Sequence, residues 1–328
     1  MPVSQRLWTR AAWTVTVPLA GAAAARVARF DRHPAMSMMN AGSHFVYLPA
    51  WGALAVGLKT RRRGLAAVAG SVAAAHAMWT APELRRRRPA PGALDGATRF
   101  RLVTANVRCH SADSTPLGEE LAGLDADVLL LQELTADRLA DIKATGVFDR
   151  FAYSYVDSRH GSFGGGIWSR FPLDDGETWE PGGPPMTRAT IDFEGTKVCV
   201  FNVHAKAPMR RRWIGVWKQH LTALRGEYEA AFAGGPVIMA GDFNSTWGHA
   251  PFRALLAAGL RDSHVDVGRG LTATWPRGVP FLPALFRIDH VLLSEGVEAV
   301  AVRQGVGASS DHRPVIADLA LLRLPQRR

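Results

Sequence analysis

The stretch PVIMAGDFNS, residues 236–245, places a short apolar run directly before an aspartate and an asparagine. The run is too short for a stable helix and is bounded by proline and glycine, so we predict a β-strand that ends beside Asp242 and Asn244. Polar side chains at the end of a buried strand are typical of a site built at the rim of a sheet. This stretch therefore predicts both a strand and a site.

Similar short runs recur from Phe100 to the end of the chain. Several are bounded by Gly, Pro, Asp or Asn, as strands are, and two helix-like stretches lie among them at residues 210–232 and 250–259. The runs are FRLVTANV, ADVLLLQE, GGIWSRF, RATIDF, KVCVFNV, RIDHVLL and VIADLAL. Strands with helices between them predict a sheet-rich α/β domain, and we place its start at Thr98, where the composition changes.

The other polar residues of interest also stand at the ends of these runs or directly before the next one, except Asp289, which interrupts RIDHVLL. They are Asn106, Glu133, His204, Asp289, Asp311 and His312. Strand ends converge at one rim of a sheet, so the order of these residues predicts one site. Taken singly, Asn106 and Asn244 are common turn or cap residues, and Glu133 is a common first-turn acid of a helix.

The charge of the chain is divided unevenly. Its 328 residues carry a formal net charge of +10, which by itself suggests nucleic acid or an anionic membrane as a partner. Residues 1–96 hold 13 Lys and Arg against 3 Asp and Glu, whereas residues 97–328 hold 26 of each. The excess belongs to the first third, and the neutral remainder argues against a domain that grips duplex DNA through a basic surface.

The first third contains three windows without formal charge, at residues 11–25, 33–58 and 64–82. The second and third are longer than the about 18 residues that a membrane-spanning helix needs. Arginines at Arg61–Arg63 and Arg85–Arg88 flank the last window, as juxtamembrane arginines do. The pattern predicts a multi-pass membrane protein.

The predicted division of the chain follows from these windows. Residues 1–84 form a membrane region with two or three transmembrane helices, and residues 85–97 a basic linker that contains Pro and Gly. The α/β domain covers residues 98–322, and a basic tail covers residues 323–328. Two alternatives for the opening stay open: buried helices of a soluble domain, and a signal peptide formed by RLWTR and AGAAAA.

The residue types of the predicted site suit metal-assisted attack of water on a phosphate ester. Such a hydrolysis needs a divalent cation, a base for the water, and donors for the phosphoryl and leaving oxygens. Mg²⁺ usually takes one or two carboxylates, for which Glu133 and Asp311 are candidates, and Asn106 offers an amide oxygen. The candidates for the base and the donors are Asp242, His204 and His312.

The same residues resemble the successive motifs of a known family. TANV with LLLQE, then NVHA, AGDFNS, RIDHVLLS and SSDHRPV are similar to motifs of the endonuclease/exonuclease/phosphatase superfamily, in order and over essentially all of residues 98–322. The GDFN and SDHRP elements are the most specific of these. The resemblance implies a four-layered α/β sandwich of two packed mixed β-sheets flanked by helices. It also implies a phosphoesterase that depends on Mg²⁺, with Mn²⁺ as a possible substitute.

The resemblance implies a role for each residue of the predicted site. Asp242 resembles the residue that orients or deprotonates the water, Asn244 one that contacts phosphate, and Asp289 the carboxylate that orients His312. The implied metal ligands are Asn106, Glu133 and Asp311, and the implied catalytic residues are His204, Asp242, Asn244, Asp289 and His312.

The sequence departs from the family in the region HGSFGGGIWSRF, residues 160–171. Some nuclease members carry a carboxylate here that pairs with the histidine corresponding to His204, whereas this region is mostly glycine. The partner of His204 is therefore undetermined by the sequence. The cysteines Cys109 and Cys199 can form at most one disulfide, or each can act as a small apolar side chain.

Three functions are expected on these grounds. The leading one is a membrane-anchored phosphoesterase that hydrolyses a phosphodiester or phosphomonoester, with a lipid headgroup, a small molecule or a nucleic acid as substrate. A nuclease acting on DNA or RNA is the first alternative. The second is a non-catalytic membrane binding protein, which the intact set of acids, amides and histidines disfavours. No protein partner is evident, and membrane attachment favours an extracytoplasmic catalytic domain.

Overall fold

The chain divides into an N-terminal group of helices and a two-sheet domain, which a computed structural model describes over residues 3–29, 33–90 and 92–322. The predicted basic tail at residues 323–328 lies outside the described residues. The N-terminal helices are α1 (Val3–Val27), α2 (Pro34–Ala41), α3 (Ser43–Val46), α4 (Pro49–Lys59) and α5 (Arg63–Thr80), and a 3₁₀ turn at Ala81–Leu84 follows them.

The window at residues 33–58 is not one helix, so the prediction of a transmembrane helix there is wrong. α2 is capped at Gly42, and α4 begins with Pro49 at its first helical position, where the N–H that proline lacks is not needed. The longest piece, α4, has 11 residues. It therefore spans about 16 Å, against the roughly 30 Å of a bilayer core.

The other two windows lie in the long helices α1 and α5, which pack against α4. α4 approaches α5 so closely at Gly57 that a Cβ there would lie 2.8 Å from the backbone nitrogen of Ala66. Small residues allow this kind of approach in helix pairs within membranes. Among the described residues one helix, Arg63–Leu84, is long and apolar enough to cross a membrane. The prediction of two or three transmembrane helices is therefore not confirmed.

The second domain is built from strands with short helices between them. In chain order the strands are β1 (Thr98–Asn106), β2 (Val128–Gln132), β3 (Tyr153–Asp157), β4 (Gly165–Ser169), β5 (Leu173–Trp179), β6 (Met186–Phe193), β7 (Thr196–His204), β8 (Val237–Asp242), β9 (Arg261–Asp262), β10 (Asp289–Leu293), β11 (Val297–Gln304) and β12 (Val315–Leu321). The helices are α6 (Thr115–Ala122), α7 (Ala136–Ala144), α8 (Arg211–Phe232), α9 (Ala250–Ala257) and α10 (Ser263–Asp266), with a 3₁₀ turn at Val147–Arg150.

The strands form two six-stranded sheets in the orders β11-β12-β1-β2-β4-β3 and β5-β6-β7-β8-β10-β9. Each sheet is mixed, because one central pair is parallel, β1 with β2 or β7 with β8, and the neighbouring pairs are antiparallel. Parallel neighbours need a crossover connection, which α6 and α8 supply. The expected architecture of two packed mixed sheets flanked by helices is thus confirmed.

Both faces of each sheet are covered. Along β1, Leu102 packs into the core between the two sheets, and the next residue, Val103, packs on the opposite face with Leu117 of α6 and Ile142 of α7. A second outer core joins β8 to α8 and α9. Successive side chains point to opposite faces of a strand, so a strand covered on both faces is apolar throughout. This explains the continuous apolar runs in the sequence.

The N-terminal helices are joined to the two-sheet domain by polar contacts. His249 accepts the Thr246 N–H at Nδ1, so its Nε2 carries the proton and donates to the carbonyl of Ser37 in α2 at 2.9 Å. Glu83 reaches the buried Arg287 guanidinium at 3.5 Å. In the predicted linker, Arg87 pairs with Glu298 at 3.1 Å. The two parts of the chain therefore share a structured interface.

Candidate active site

The predicted site residues lie together because the strand registers align their ends. Asn106 at the end of β1 is paired with Gln132, the residue before Glu133. In the other sheet, His204 is opposite Asp242, and Asp242 is opposite Asp289 across the antiparallel pair β8 and β10. The central strands of both sheets thus end at the same rim of the sandwich, where seven of the predicted residues meet around one carboxylate.

Asp242 is that central carboxylate. Its Oδ1 accepts the backbone N–H of Asn244 at 2.8 Å, and its Oδ2 accepts from the Asn106 amide at 3.1 Å. The Nε2 atoms of His204 and His312 lie 3.7 and 3.8 Å from the same Oδ2. Burial, together with Asp289, raises the pKa of Asp242 to about 6, although the two histidines act in the opposite direction. A carboxylate with such a pKa can take a proton from water near neutral pH.

His312 and Asp289 form a buried pair beside Asp242. His312 Nδ1 donates to the Asp289 carboxylate at 3.0 Å, which leaves Nε2 directed at Asp242. Burial opposes the charge on the ring, but Asp289 and Asp242 outweigh it and raise the pKa of His312 to about 10. His312 is therefore an imidazolium at neutral pH and a donor at Nε2.

Glu133 follows β2 in an unusual backbone conformation, with a φ of +58°. Non-glycine residues at positive φ are strained, and they cluster at functional sites. Its Oε2 accepts the Cys109 N–H at 3.0 Å, and its Oε1 lies 3.6 Å from His204 Nε2. Burial favours the neutral acid, but His204 and the N–H of Cys109 outweigh it, so the pKa of Glu133 lies below its ordinary value. Glu133 is thus a charged carboxylate facing the site.

Asn106 presents its amide nitrogen to the carboxylates. Nδ2 donates to Glu133 at 3.2 Å and to Asp242 at 3.1 Å, because Oδ1 is held by the backbone N–H of Arg108 at 2.9 Å. As placed, Asn106 is a donor that holds two like charges together. Its expected role as an oxygen ligand of a metal stays a prediction, and it would require the amide to turn.

Asn244 also supports Asp242. It lies at a φ of +46°, and its Nδ2 donates to the Ala205 carbonyl at 2.9 Å and to Asp242 Oδ2 at 3.2 Å. Both donors of this amide are therefore directed at the protein. The expected contact of Asn244 with phosphate stays a prediction.

Asp311 is the predicted residue that the structure does not bring into this group. Its Oδ2 accepts from Trp275 Nε1 at 3.3 Å, and its Oδ1 lies 3.9 Å from Arg108 Nε. Asp311 is adjacent to His312 in a turn, and adjacent side chains in a turn point in different directions. Its expected role as a metal ligand stays a prediction that this placement does not favour.

The glycines of residues 160–171 offer no carboxylate to Nδ1 of His204, whose Nε2 faces Glu133 and Asp242. His204 Nδ1 is buried and has no hydrogen-bond partner among the described residues. A Cβ at Gly164 would lie 2.0 Å from the Leu134 carbonyl oxygen, and one at Gly165 would lie 2.9 Å from Asn202 Nδ2. A side chain at either position would therefore clash. Phe163 packs against the ring instead, with ring centroids 5.4 Å apart.

Three supporting residues escaped the sequence analysis because they act through contacts distant in sequence. Glu120 of α6 accepts the N–H groups of residues 306, 307 and 308, which precede His312 in the same loop. Beneath the site, Gln132 donates to Asn202 at 2.6 Å and so joins the two sheets by a buried hydrogen bond. The only available signal was an isolated polar residue within each apolar run or helix.

The two cysteines do not form a disulfide with each other. Cys109 and Cys199 are both free. Burial raises the pKa of each thiol to about 11, so both are protonated at neutral pH. They act as small, weakly polar side chains.

A cavity of about 530 Å³ opens above these residues. Glu133, His204, Asp242 and His312 line its polar end. One part of the lining was not predicted, because it comes from α2 of the N-terminal helices, through Met38 and Ala41 among others. The site is therefore a pocket of the whole chain rather than of the two-sheet domain alone.

The donor set suits a hard divalent cation. Carboxylate oxygens of Asp242 and Asp289 lie within 4.8 Å of one another. Glu133 Oε1 and Asp242 Oδ2 share the Asn106 amide and His204 Nε2 as neighbours. Carboxylate oxygens beside an open cavity, where water and substrate complete the shell, are the arrangement that Mg²⁺ prefers. A buried acidic cluster able to hold a metal is thus present.

Solved structures of similar fold come from several organisms. An endonuclease/exonuclease/phosphatase from Beutenbergia cavernae DSM 12333 is 20% identical, with a TM-score of 0.54 over 68% of this chain and 72% of that one. A truncated Caenorhabditis elegans TDP2 is 17% identical, with a TM-score of 0.56 over 68% and 97%. An endonuclease/exonuclease/phosphatase from Bacteroides vulgatus is 16% identical, with a TM-score of 0.56 over 68% and 99%. At these identities the likeness shows the fold.

The family itself is shown by the sequence match. No curated protein matches the chain. Residues 103–312, however, match the family described as Endonuclease/Exonuclease/phosphatase family, and this is more than half of the chain. The matched range runs from β1 to His312 and includes all eight predicted site residues. The chain therefore belongs to the endonuclease/exonuclease/phosphatase family.

Proposed function

We propose that this protein is a metal-dependent phosphoester hydrolase in which a water molecule attacks phosphorus. The observation that carries the proposal is the convergence of Asp242, His312 and Glu133 at the polar end of one cavity. Each group has the charge state that the reaction needs, namely a base with a pKa of about 6, a protonated donor and an ionised carboxylate.

Asp242 is the group that removes the proton from water. It is buried at the end of β8, and Asn106 and Asn244 fix its carboxylate through three hydrogen bonds. A fixed carboxylate keeps the attacking water in line with phosphorus. This lowers the entropy cost of bringing water and phosphorus into the reacting geometry.

His312 supplies positive charge to the phosphate. Its Nε2–H points into the cavity beside Asp242, and Asp289 holds the ring in orientation through Nδ1. A preorganised cation stabilises the negative charge that grows on the phosphoryl or leaving oxygen, and it needs no rearrangement during the reaction.

Glu133 would hold the divalent cation, with Asp242 as the second carboxylate beside it. When bound, Mg²⁺, or Mn²⁺ in its place, polarises a phosphoryl oxygen and neutralises its charge. The chain's own part is to keep both carboxylates ionised and close, and the Asn106 amide does this by donating to both.

We also propose that the N-terminal helices attach the enzyme to a membrane. More than half of the exposed large hydrophobic side chains among the described residues lie in residues 3–84. Trp8, Val27 and Met78 are 66%, 71% and 69% exposed. Exposed apolar surface of this extent is stable against lipid, whereas in water it marks an interaction site. Protease accessibility in intact cells tests the expected extracytoplasmic position of the catalytic domain.

An assay of the full chain that follows the alcohol released from the ester tests the hydrolase. Generic phosphodiester and phosphomonoester substrates are supplied with Mg²⁺ or Mn²⁺, beside the variants Asp242→Asn and His312→Ala. Each variant should lose about 10²- to 10⁴-fold in rate, because each removes a proton-transfer or charge-stabilising group. Asp174→Asn, at an exposed ion pair with Lys197, is the matched control. Equal rates in all four proteins, or no turnover with either metal, would contradict the proposal.

A further inference from the structure

The active-site cavity has two chemically different ends. The catalytic carboxylates and histidines form one end, and the rest of the wall is mostly apolar. Met38 and Ala41 of α2 face the cavity, together with Trp275, Phe286 and Ile288 of the two-sheet domain. A phosphate held at the polar end would leave the remainder of its substrate against this apolar wall.

The apolar wall is built into the fold. α2 is fixed beside the site because Gly248 lets its backbone approach, since a Cβ there would lie 1.6 Å from the Asn40 carbonyl oxygen. His249 holds Ser37 from the same loop. Phe286 packs near Gly42 at the end of α2, 3.4 Å from where a Cβ would lie. The wall is therefore a specific contact between the two parts of the chain.

Two cations lie on aromatic rings of the cavity lining. Lys206 Nζ lies 4.2 Å from the ring centroid of Trp213 and 4.8 Å from that of Phe163, and all three residues line the cavity. The Arg210 guanidinium covers Trp213 at 4.7 Å. Cations on aromatic rings beside an apolar pocket suit a ligand that is anionic at one end and apolar at the other.

The surface next to the cavity is also apolar. The chain between Trp275 and Phe286, which both line the cavity, carries Val279, Phe281 and Leu282. These three side chains are 45%, 107% and 42% exposed, and Met209 at the cavity mouth is 53% exposed. An exposed apolar segment beside a pocket marks an interaction site, and a lipid surface fits its chemistry.

We propose that the substrate is an amphiphilic phosphoester, one that carries an apolar chain as membrane lipids do, and that α2 holds this chain. This inference rests on the proposed function. The phosphate is placed at Asp242 and His312, and the chain lies between α2 and the segment from Trp275 to Ile288. A nucleic acid is disfavoured, because its polar sugar and second phosphate would have to face Met38 and Phe286.

Two pairs of substrates that differ only in the apolar chain test this. The first pair is methyl and octyl p-nitrophenyl phosphate, followed by release of p-nitrophenolate. The second is methyl and octyl phosphate, followed by release of inorganic phosphate. The full chain is placed in nanodiscs of digalactosyl diacylglycerol, a lipid without phosphorus. Each methylene taken out of water contributes about fourfold in affinity. We therefore expect kcat/KM for the octyl ester to exceed that for the methyl ester by about 10-fold or more.

Variants separate binding by the wall from simple partition of the octyl ester into the disc. Met38→Gln should lower the ratio of octyl to methyl kcat/KM several-fold, since a polar amide then faces the chain. Met209→Gln, at an exposed position of the cavity lining, should act in the same direction without risk to folding. Val300→Gln, at an exposed position of β11 and outside the cavity, is the control and should keep the full preference.

The results separate the inferred amphiphilic substrate from the proposed hydrolase activity. Equal kcat/KM for both chain lengths, or a Met38→Gln variant that loses both substrates alike, would overturn the inference and leave the hydrolase intact. Faster cleavage of a DNA oligonucleotide than of either octyl ester would overturn it in favour of a nucleic acid. If none of the four esters is cleaved with Mg²⁺ or Mn²⁺, the proposed function fails and the inference fails with it.

Discussion

Residues 3–84 and residues 98–322 keep their large apolar side chains in different places. In the two-sheet domain these side chains fill a core between the sheets and two outer cores beneath helices. In the N-terminal helices the buried positions are largely small residues such as Ala53 and Ala69, and large ones such as Trp8 and Leu58 are exposed. Removal of large apolar side chains from water stabilises the packing of the two-sheet domain. Small residues between helices with large apolar side chains outside are the packing found in lipid.

The two parts of the chain also differ in net charge. Residues 1–96 are strongly basic, and residues 97–328 are neutral in sum. The neutral part nevertheless contains the most concentrated buried charge, at Asp242, Asp289 and His312. The net charge of the two-sheet domain therefore does not report on the charges gathered at its candidate site.

The largest effect should come from removing one buried charge of the candidate active site in the two-sheet domain. Asp289→Asn removes the charge that orients His312 and stabilises its protonated form. We expect turnover to fall by about 10²- to 10⁴-fold, together with a lower melting temperature, because the buried His312 loses its charged partner. Asp192→Asn, near the end of β6, is the control. A rate close to that of the unmodified chain would show that His312 does not need its partner.

The next effect should come from breaking the junction between the two parts. Arg287 is buried and contacts Asp262, the Gly270 carbonyl and Glu83 of the N-terminal 3₁₀ turn. Arg287→Met removes the buried cation that contacts both Asp262 and Glu83, so unfolding should become easier by about 3–5 kcal/mol. Denaturant unfolding of the chain in detergent measures this, with the exposed Arg303→Met as control. A loss below that of the control would mean that the two parts are energetically independent.

The free energy of unfolding should depend on pH through His220, a buried histidine that contacts the chain just after His204. His220 of α8 accepts the Lys206 N–H at Nδ1, and burial, aided by His204 and Lys206, lowers the pKa of His220 to about 4. The unfolded chain binds a proton near pH 6.5, so this stability is complete above pH 6.5 and is lost as the pH falls towards 4. The loss should reach roughly 3 kcal/mol.

Melting curves between pH 4 and pH 7, followed by tryptophan fluorescence, check this slope. In His220→Gln the part of the slope that belongs to His220 should disappear, whereas the exposed His110→Gln should keep it. An unchanged slope in His220→Gln would assign acid sensitivity to other groups.

The smallest effects should come from two glycines that meet different surroundings. Gly248→Ala forces a Cβ into the Asn40 carbonyl of α2, so we expect a loss of about 1–3 kcal/mol and a weaker octyl preference. Gly215→Ala, in α8 with nothing within 4 Å, should instead gain about 1 kcal/mol. Thermal unfolding of both variants measures the difference. The same sign in both would show that α2 does not press on Gly248.

The residues of the candidate site were predictable because their signals are local. A short continuous apolar run, a turn residue and a polar side chain at the strand end all lie within a few positions of one another, as in PVIMAGDFNS. The supporting residues were not predictable in this way. Glu120 serves a loop 187 residues away at Gly307, and His249 holds Ser37 at a separation of 212. Such pairs depend on packing, and neither partner is unusual in its own segment.

The uncharged windows in the N-terminal helices show that composition alone does not predict where a helix is interrupted. Residues 33–58 satisfy a length rule, yet Gly42 and Pro49 divide them into three helices. Hydropathy measures the cost of placing a segment in lipid, whereas helix continuity depends on backbone hydrogen bonds that proline interrupts.

The amino-acid sequence by itself determined the family, eight of the twelve described strands and the residues gathered at their ends, because residue type and spacing carry that information. Only the tertiary structure decided that Asp311 turns away from the other site residues, towards Trp275 and Arg108. It alone placed α2 in the wall of the active-site cavity. The physical reason is that burial, charge pairing and cavity shape are properties of side chains brought together from distant segments, and no single segment contains them.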